Sequence, residues 1–92
     1  MDKVYLIYDS KVEDWSPPMV NKSVGEATRD LADIIADRKG KLGAHPEDFT
    51  LFEIGEYDNA KGQLHLYEAK KMICLLLDLR PKETQLPLQA VN

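Results

Sequence analysis

The side chains able to do chemistry in this 92-residue chain include two histidines, one cysteine and 16 carboxylates. His45 and His65 stand far apart in the chain, with no cysteine or histidine at ligand spacing, and Cys74 lies inside the apolar run "MICLLLDL". Zinc draws on several ligands at clustered spacing, so no metal and no other cofactor is expected. The pairs Glu53/Glu56 and Glu47/Asp48 are of the type that performs acid–base chemistry. No nucleophile, glycine-rich phosphate loop or triad spacing accompanies them, and Glu53 and Glu56 would point to opposite faces of a regular strand. Ser10, Ser16 and Ser23 lack the strand–turn–helix motif that activates a serine. The carboxylates read as solvated charge, and no enzyme is expected.

The remaining pattern is of cations interleaved with aromatic rings. Lys3, Tyr5, Lys11, Trp15, Lys22 and Arg29 lie in the N-terminal half, and Lys61, Tyr67, Lys70 and Lys71 surround a hairpin. Single-stranded nucleic acid is held by such a combination, phosphates on cations and bases on ring faces. Lysines scattered over a solvated surface would give the same composition, so the pattern alone has low specificity. The net charge of −4 runs against a protein that coats nucleic acid by bulk electrostatics, yet it leaves room for a local patch.

These residues must be positioned by a small fold. "KVYLIYD", Lys3 to Asp9, is β-branched and aromatic on both alternating faces and reads as a strand covered twice. "SKVEDWSPPMVNK" contains Pro17-Pro18, which forbid a helix and make it a loop or an irregular edge. Trp15 lies there, either packed on the domain or exposed to stack on a partner.

"SVGEATRDLADIIADRKG" is the clearest helix. Ser23 and Glu26 form a capping box, and Val24, Ala27, Leu31, Ile34, Ile35 and Arg38 share one face. Gly40 is placed as a left-handed cap at its end. Lys41 to Pro46 reads as a linker.

"DFTLFEIGEY" and "QLHLY" form a hairpin through "DNAKG", with Gly55 marking a bulge or a close approach. "EAKKMICLLLDL", Glu68 to Leu79, fits a second helix with Ala69, Met72, Ile73, Leu76 and Leu79 inward, though its continuous leucines also permit a strand.

The expectation is therefore one α+β domain over residues 1–80: a small, mainly antiparallel sheet ordered strand-helix-strand-strand, one main helix packed on it, and a C-terminal helix as an option. Residues 81–92 read as a mobile tail. Either the C-terminal helix or a second subunit must cover the other sheet face, and a homodimer is the expected solution. The single cysteine points to a reducing cytoplasm. The N-terminus does not read as a signal peptide, and no apolar run approaches the ~20 residues that span a bilayer, so no membrane role is expected.

Two segments resemble a known family. "KVYLIYDSK", with Asp9-Ser10-Lys11 directly after the first strand, is similar to the start of the small nonstructural protein of gokushoviruses, single-stranded DNA phages of the Microviridae. "HPEDFTLFEIGEYDNAKGQL" resembles that family's central block, and "GEATRDLADIIAD" sits where the family places its helix. The resemblance covers roughly residues 3 to 67. Where the family commonly carries a Pro-Phe-Phe-type stretch, this chain has "WSPPMVNK", so Trp15 is the aromatic that stands in that loop.

The resemblance implies an accessory protein of phage replication in the host bacterial cytoplasm. It would bind single-stranded viral DNA and steer duplex synthesis toward genome strands. Expected contacts are Lys3, Lys11, Lys22 and Arg29 on phosphates, Tyr5 or Trp15 on bases, and Lys61, Lys70 and Lys71 around the hairpin. The competing expectation is an interaction module for replication or capsid proteins, using the acidic surface and an apolar strand face.

Overall fold

The computed structural model describes residues 1–81. In chain order the elements are strand β1 (Asp2–Asp9), short strands β2 (Asp14–Trp15) and β3 (Met19–Asn21), helix α1 (Val24–Ile35), one-turn helix α2 (Lys41–Ala44), and the long strands β4 (Phe49–Asp58) and β5 (Gln63–Leu75). Short 3-10 turns precede β4 (Pro46–Asp48) and follow β5 (Leu76–Leu79). All strand pairs are antiparallel in one five-stranded sheet, ordered β2-β1-β4-β5, with β3 also paired to β1. The α+β architecture with one main helix is the one the sequence predicts.

α1 covers one face of the sheet. Ala27, Leu31 and Ile35 meet Tyr5 and Ile7 of β1, Phe49 and Leu51 of β4, and Leu76 of the final turn. Each large side chain buried there stabilises the fold by ~1.5–3 kcal/mol. Ser23 caps the helix by accepting from the Glu26 N–H at 3.1 Å, and the Glu26 carboxylate accepts in return from the Lys22 N–H at 2.8 Å. These bonds satisfy donors that have no partner within the helix.

The helix is shorter than its periodicity suggests. It ends at Ile35, Ile34 is 52% exposed, and Arg38 lies beyond it. Gly40 is no left-handed cap: its φ is −73°, and it begins α2 within the stretch read as a linker. The last carbonyl of α1 is instead met by Arg80, whose guanidinium donates to Ile35 O at 3.0 Å and also to Gly43 O of α2 at 2.6 Å.

Of the two readings of the Pro-containing segment, the irregular edge is the one found: β2 and β3 flank Pro17-Pro18 and both pair with β1. Ser16 pins it, donating its N–H to Ile7 O and accepting from the Ile7 N–H on Oγ, each at 2.8 Å.

The second helix read over Glu68 to Leu79 is corrected, and the segment takes the strand alternative. Through Leu75 it is strand, continuing β5 along β4, and only Leu76–Leu79 makes a helical turn. Pairing with β4 gives Met72, Cys74 and Leu75 partners in Phe52, Leu51 and Thr50, and that tertiary context overrides the helical spacing of the apolar residues. Leu76 enters the core on the α1 side, so the turn Leu76–Leu79 does not cover the second face. Residues 82–92, within the segment read as a tail, lie outside the described residues.

β4 is irregular in the middle. Against β1 it carries Ile54 as an extra residue, since Val4 pairs with Gly55 and Tyr5 with Glu53. Against β5 the departure is larger: Gly55 pairs with Leu66 and Glu53 with Lys71, leaving Tyr67 to Lys70 without register partners. Gly55 is required there, because a Cβ would lie 2.5 Å from His65 O and 2.9 Å from the Leu66 Cα. At the hairpin turn, Asp58 accepts from the Ala60 and Lys61 N–H groups, and Gly62 adopts φ +67°, the conformation glycine takes without strain.

Alternation along β1 sorts the sheet residues by face. Tyr5 and Ile7 point to α1, so Leu6 and Tyr8 point away. Their register partners follow them: Phe52 and Met72 beside Leu6, Trp15, Thr50 and Leu75 beside Tyr8, and Val20 and Leu66 in the row of Val4. No helix among the described residues packs on this second face.

Candidate nucleic-acid interface

The centre of the uncovered face is an aromatic cluster. The β1–β2 turn builds it: Asp9 accepts from the Lys11 N–H at 3.0 Å, and Glu13 takes the left-handed φ of 56°. A non-glycine residue there costs of order 1 kcal/mol. The reversal sets Trp15 opposite Tyr8, and Asp14 accepts from the Trp15 N–H at 2.9 Å. The Trp15 ring lies 4.7 Å from that of Tyr8, tilted by 48°, and 5.1 Å from that of Phe52, edge to face. The Lys70 ammonium sits 5.1 Å from the centroid of the Trp15 ring. Trp15 remains 38% exposed, so it is both packed and accessible.

Of the nine residues nominated from the sequence, the structure brings Trp15 and Lys70 together. Tyr5 is the clear correction. It is fully buried under α1, with its hydroxyl unpartnered, so its ring is unavailable to a base. Sequence alternation showed two apolar faces on β1 without showing which one the helix would cover.

Lys3 donates to Glu56 at 2.6 Å on the α1 side of the sheet. The bond holds the lysine above its usual pKa and the carboxylate below its own. Lys71 shares the Tyr5–Glu53 row and faces the same way. Lys22 precedes α1 and Arg29 lies on it, Lys11 is in the β1–β2 turn, and Lys61 is in the hairpin turn, all exposed. The nine therefore do not line one groove. Sequence reasoning missed Tyr8 and Phe52, which complete the cluster; the alternation of β1 and β4 carried the signal, but the pairing of Tyr8 with Trp15 depends on turn geometry.

Glu53 also departs from expectation. Read as solvated, it is 3% exposed and accepts from the Tyr67 hydroxyl at 2.5 Å. That bond, with burial, raises the Tyr67 pKa, and burial followed by the Glu53 charge pushes Tyr5 up to about 12.

Two other features lie apart. His45, Glu47 and Asp48 bring one potential ligand atom each within 4.8 Å on the turn before β4, but His45 and Glu47 are exposed and proximity alone makes no metal site. A groove of about 570 Å³ runs along the β2 edge, walled by Val12, Trp15, Pro18, Met19, Leu42 and Phe49. No helix among the described residues is long and apolar enough to cross a membrane.

No curated protein and no solved structure matches the chain significantly. A family model described as phage ORF5 protein matches residues 2–79, and the chain belongs to that phage protein family.

Proposed function

We propose that this phage protein binds single-stranded DNA without catalysing a reaction, as an accessory factor of genome replication in a gokushovirus-type phage, acting in the host cytoplasm. The uncovered sheet face is the platform. Trp15, supported from the side by Tyr8 and Phe52, offers a ring for a base to stack on, and Lys70 stands beside it to meet the adjoining phosphate.

The observation that carries this reading is the half-exposed Trp15 with a lysine against it, on a sheet face that no helix among the described residues covers. Stacking on an aromatic side chain is worth ~1–3 kcal/mol per base. Because every base has a π face, sequence preference would be weak. The family membership and the resemblance of "YDSK" and "HPEDFTLFEIGEYD" to gokushovirus proteins favour a replication role, in which coated genome strands are withdrawn from further duplex synthesis.

Fluorescence anisotropy with labelled oligonucleotides over a salt series is the test. Single strands should bind more tightly than duplex, affinity should fall as salt rises, and Trp15→Ala should weaken binding about tenfold or more. Absence of binding at low salt, or binding indifferent to Trp15, overturns the proposal.

A protein-interaction role is the second reading. Leu64, Leu66 and Met72 are 59%, 65% and 61% exposed, and aliphatic side chains suit a protein surface better than a nucleobase. Under that reading a replication or capsid protein would be captured by the wild-type chain and lost in Leu66→Asp, with oligonucleotides having no effect.

A further inference from the structure

We infer that two copies of this chain associate through the outer edge of β5, joining their sheets into one. The inference concerns the outer edge of β5, shares Lys70 with the aromatic cluster, and does not depend on DNA binding.

Among the described residues β5 is the longest strand, 13 residues, and only β4 pairs with it. Its other edge presents a row of unpaired backbone donors and acceptors, which proteins ordinarily cover or blunt. Tyr67 to Lys70 also lack register partners in β4. A neighbouring strand is the partner that satisfies such a row.

The sequence of β5 is complementary to itself. Placing a twofold axis through Ala69, with the copies antiparallel, sets Glu68 against Lys70 of the second copy and Lys70 against its Glu68. The same register sets Leu66 against Met72 and Tyr67 against Lys71. Faces agree as well as charges. Leu66, Lys70 and Met72 all lie on the uncovered face, as Gly55, Trp15 and Phe52 locate them, while Tyr67 and Lys71 lie on the side of Glu53.

Residues directly opposite in an antiparallel pair point to the same side, so each predicted pair joins side chains that share a face. Glu68, exposed, makes no ion pair among the described residues. Leu66 and Met72, more than half exposed in the single chain, would cover one another. An unrelated partner would have no reason to match this arrangement about a single residue; a second copy matches it by symmetry.

Charge exchange tests the register. Analytical ultracentrifugation of the full chain alone, over a concentration series, should show reversible dimers. Glu68→Lys and Lys70→Glu should each weaken self-association by about tenfold or more, because each puts like charges opposite one another. Mixing the two variants should restore dimers, since lysines at 68 and 70 of one chain then face glutamates at 70 and 68 of the other. Circular dichroism checks that both variants fold. A wild-type chain that stays monomeric at ~100 µM, far above the Kd of a stable interface, overturns the inference. So does a dimer that both variants keep, or one that the mixture fails to restore.

Discussion

The Lys70 ammonium lies over the ring of Trp15, 5.1 Å from its centroid, although the two residues come from opposite edges of the sheet. β1 and β4 separate their strands, so the contact reaches across the uncovered face above Leu6, Tyr8 and Phe52. At an exposed site such a contact is worth ~0.5–1 kcal/mol. Its consequence is positional, since it holds a cation where a base stacked on Trp15 would bring its phosphate.

Lys70→Arg should therefore keep oligonucleotide affinity, and Lys70→Ala should lower both the affinity and its salt dependence. The slope of log affinity against log salt should fall by about one unit if one phosphate contact is lost. An unchanged slope in Lys70→Ala would place the phosphate elsewhere.

Arg80 fastens the C-terminal end of α1. Its guanidinium bridges Ile35 O and Gly43 O, so one side chain joins α1, α2 and the turn after β5. Hydrogen bonds from a charged group contribute ~1.5–3 kcal/mol. Arg80→Ala should lower stability by roughly that amount in chemical denaturation. Arg80→Lys should recover only part of it, because an ammonium does not present the guanidinium fork. Equal stability of the alanine variant would mean that these carbonyls are satisfied without Arg80.

The parts of this fold legible in the sequence are those set by local chemistry. Ser23 and Glu26 announce the start of α1, and Asp58 with Gly62 announces the hairpin turn, because capping and turn geometry are decided within a few residues. What was illegible depends on partners distant in sequence. The spacing of Ala69, Met72, Ile73 and Leu76 suits a helix and the continuous leucines also permit a strand, and only the availability of β4 decides most of that stretch for the strand. Tyr5 and Tyr8 look equivalent in "KVYLIYD", yet one is sealed beneath α1 and the other stands in the aromatic cluster. Arg80 gave no signal, since its two acceptors lie 45 and 37 positions earlier.

Glu53 is a buried carboxylate bonded to the Tyr67 hydroxyl. Removing one partner of such a pair leaves the other buried and unsatisfied, at ~1–3 kcal/mol or more for a charged group. Tyr67→Phe should therefore destabilise the fold at neutral pH. Adding Glu53→Leu to it should recover stability, because no polar group is then stranded. A double variant less stable than the sum of the two single changes would show that Glu53 has a further role in holding the middle of β4.

Tyr5 and Tyr67 give the fold an alkaline limit. Burial, reinforced by the Glu53 charge, pushes Tyr5 up to about 12, and the Glu53 hydrogen bond with burial raises Tyr67. In the unfolded chain both ionise near the ordinary value of about 10. Above that pH the unfolded chain releases protons that the folded chain retains, so protonation linkage favours unfolding. The stabilisation is complete below about pH 10 and is lost as pH rises toward 12, with Tyr5 alone accounting for roughly 2–3 kcal/mol. Denaturation midpoints measured from pH 9 to 12 should fall over that window, while phenolate absorbance shows late-titrating tyrosines. Tyr5→Phe separates the causes. It removes a buried hydroxyl with no hydrogen-bond partner, so it should be neutral or stabilising at pH 7 and should flatten the alkaline decline. A loss above ~1 kcal/mol at neutral pH would mean the hydroxyl is satisfied in solution, and an alkaline decline that Tyr5→Phe leaves unchanged would assign that decline to Tyr67.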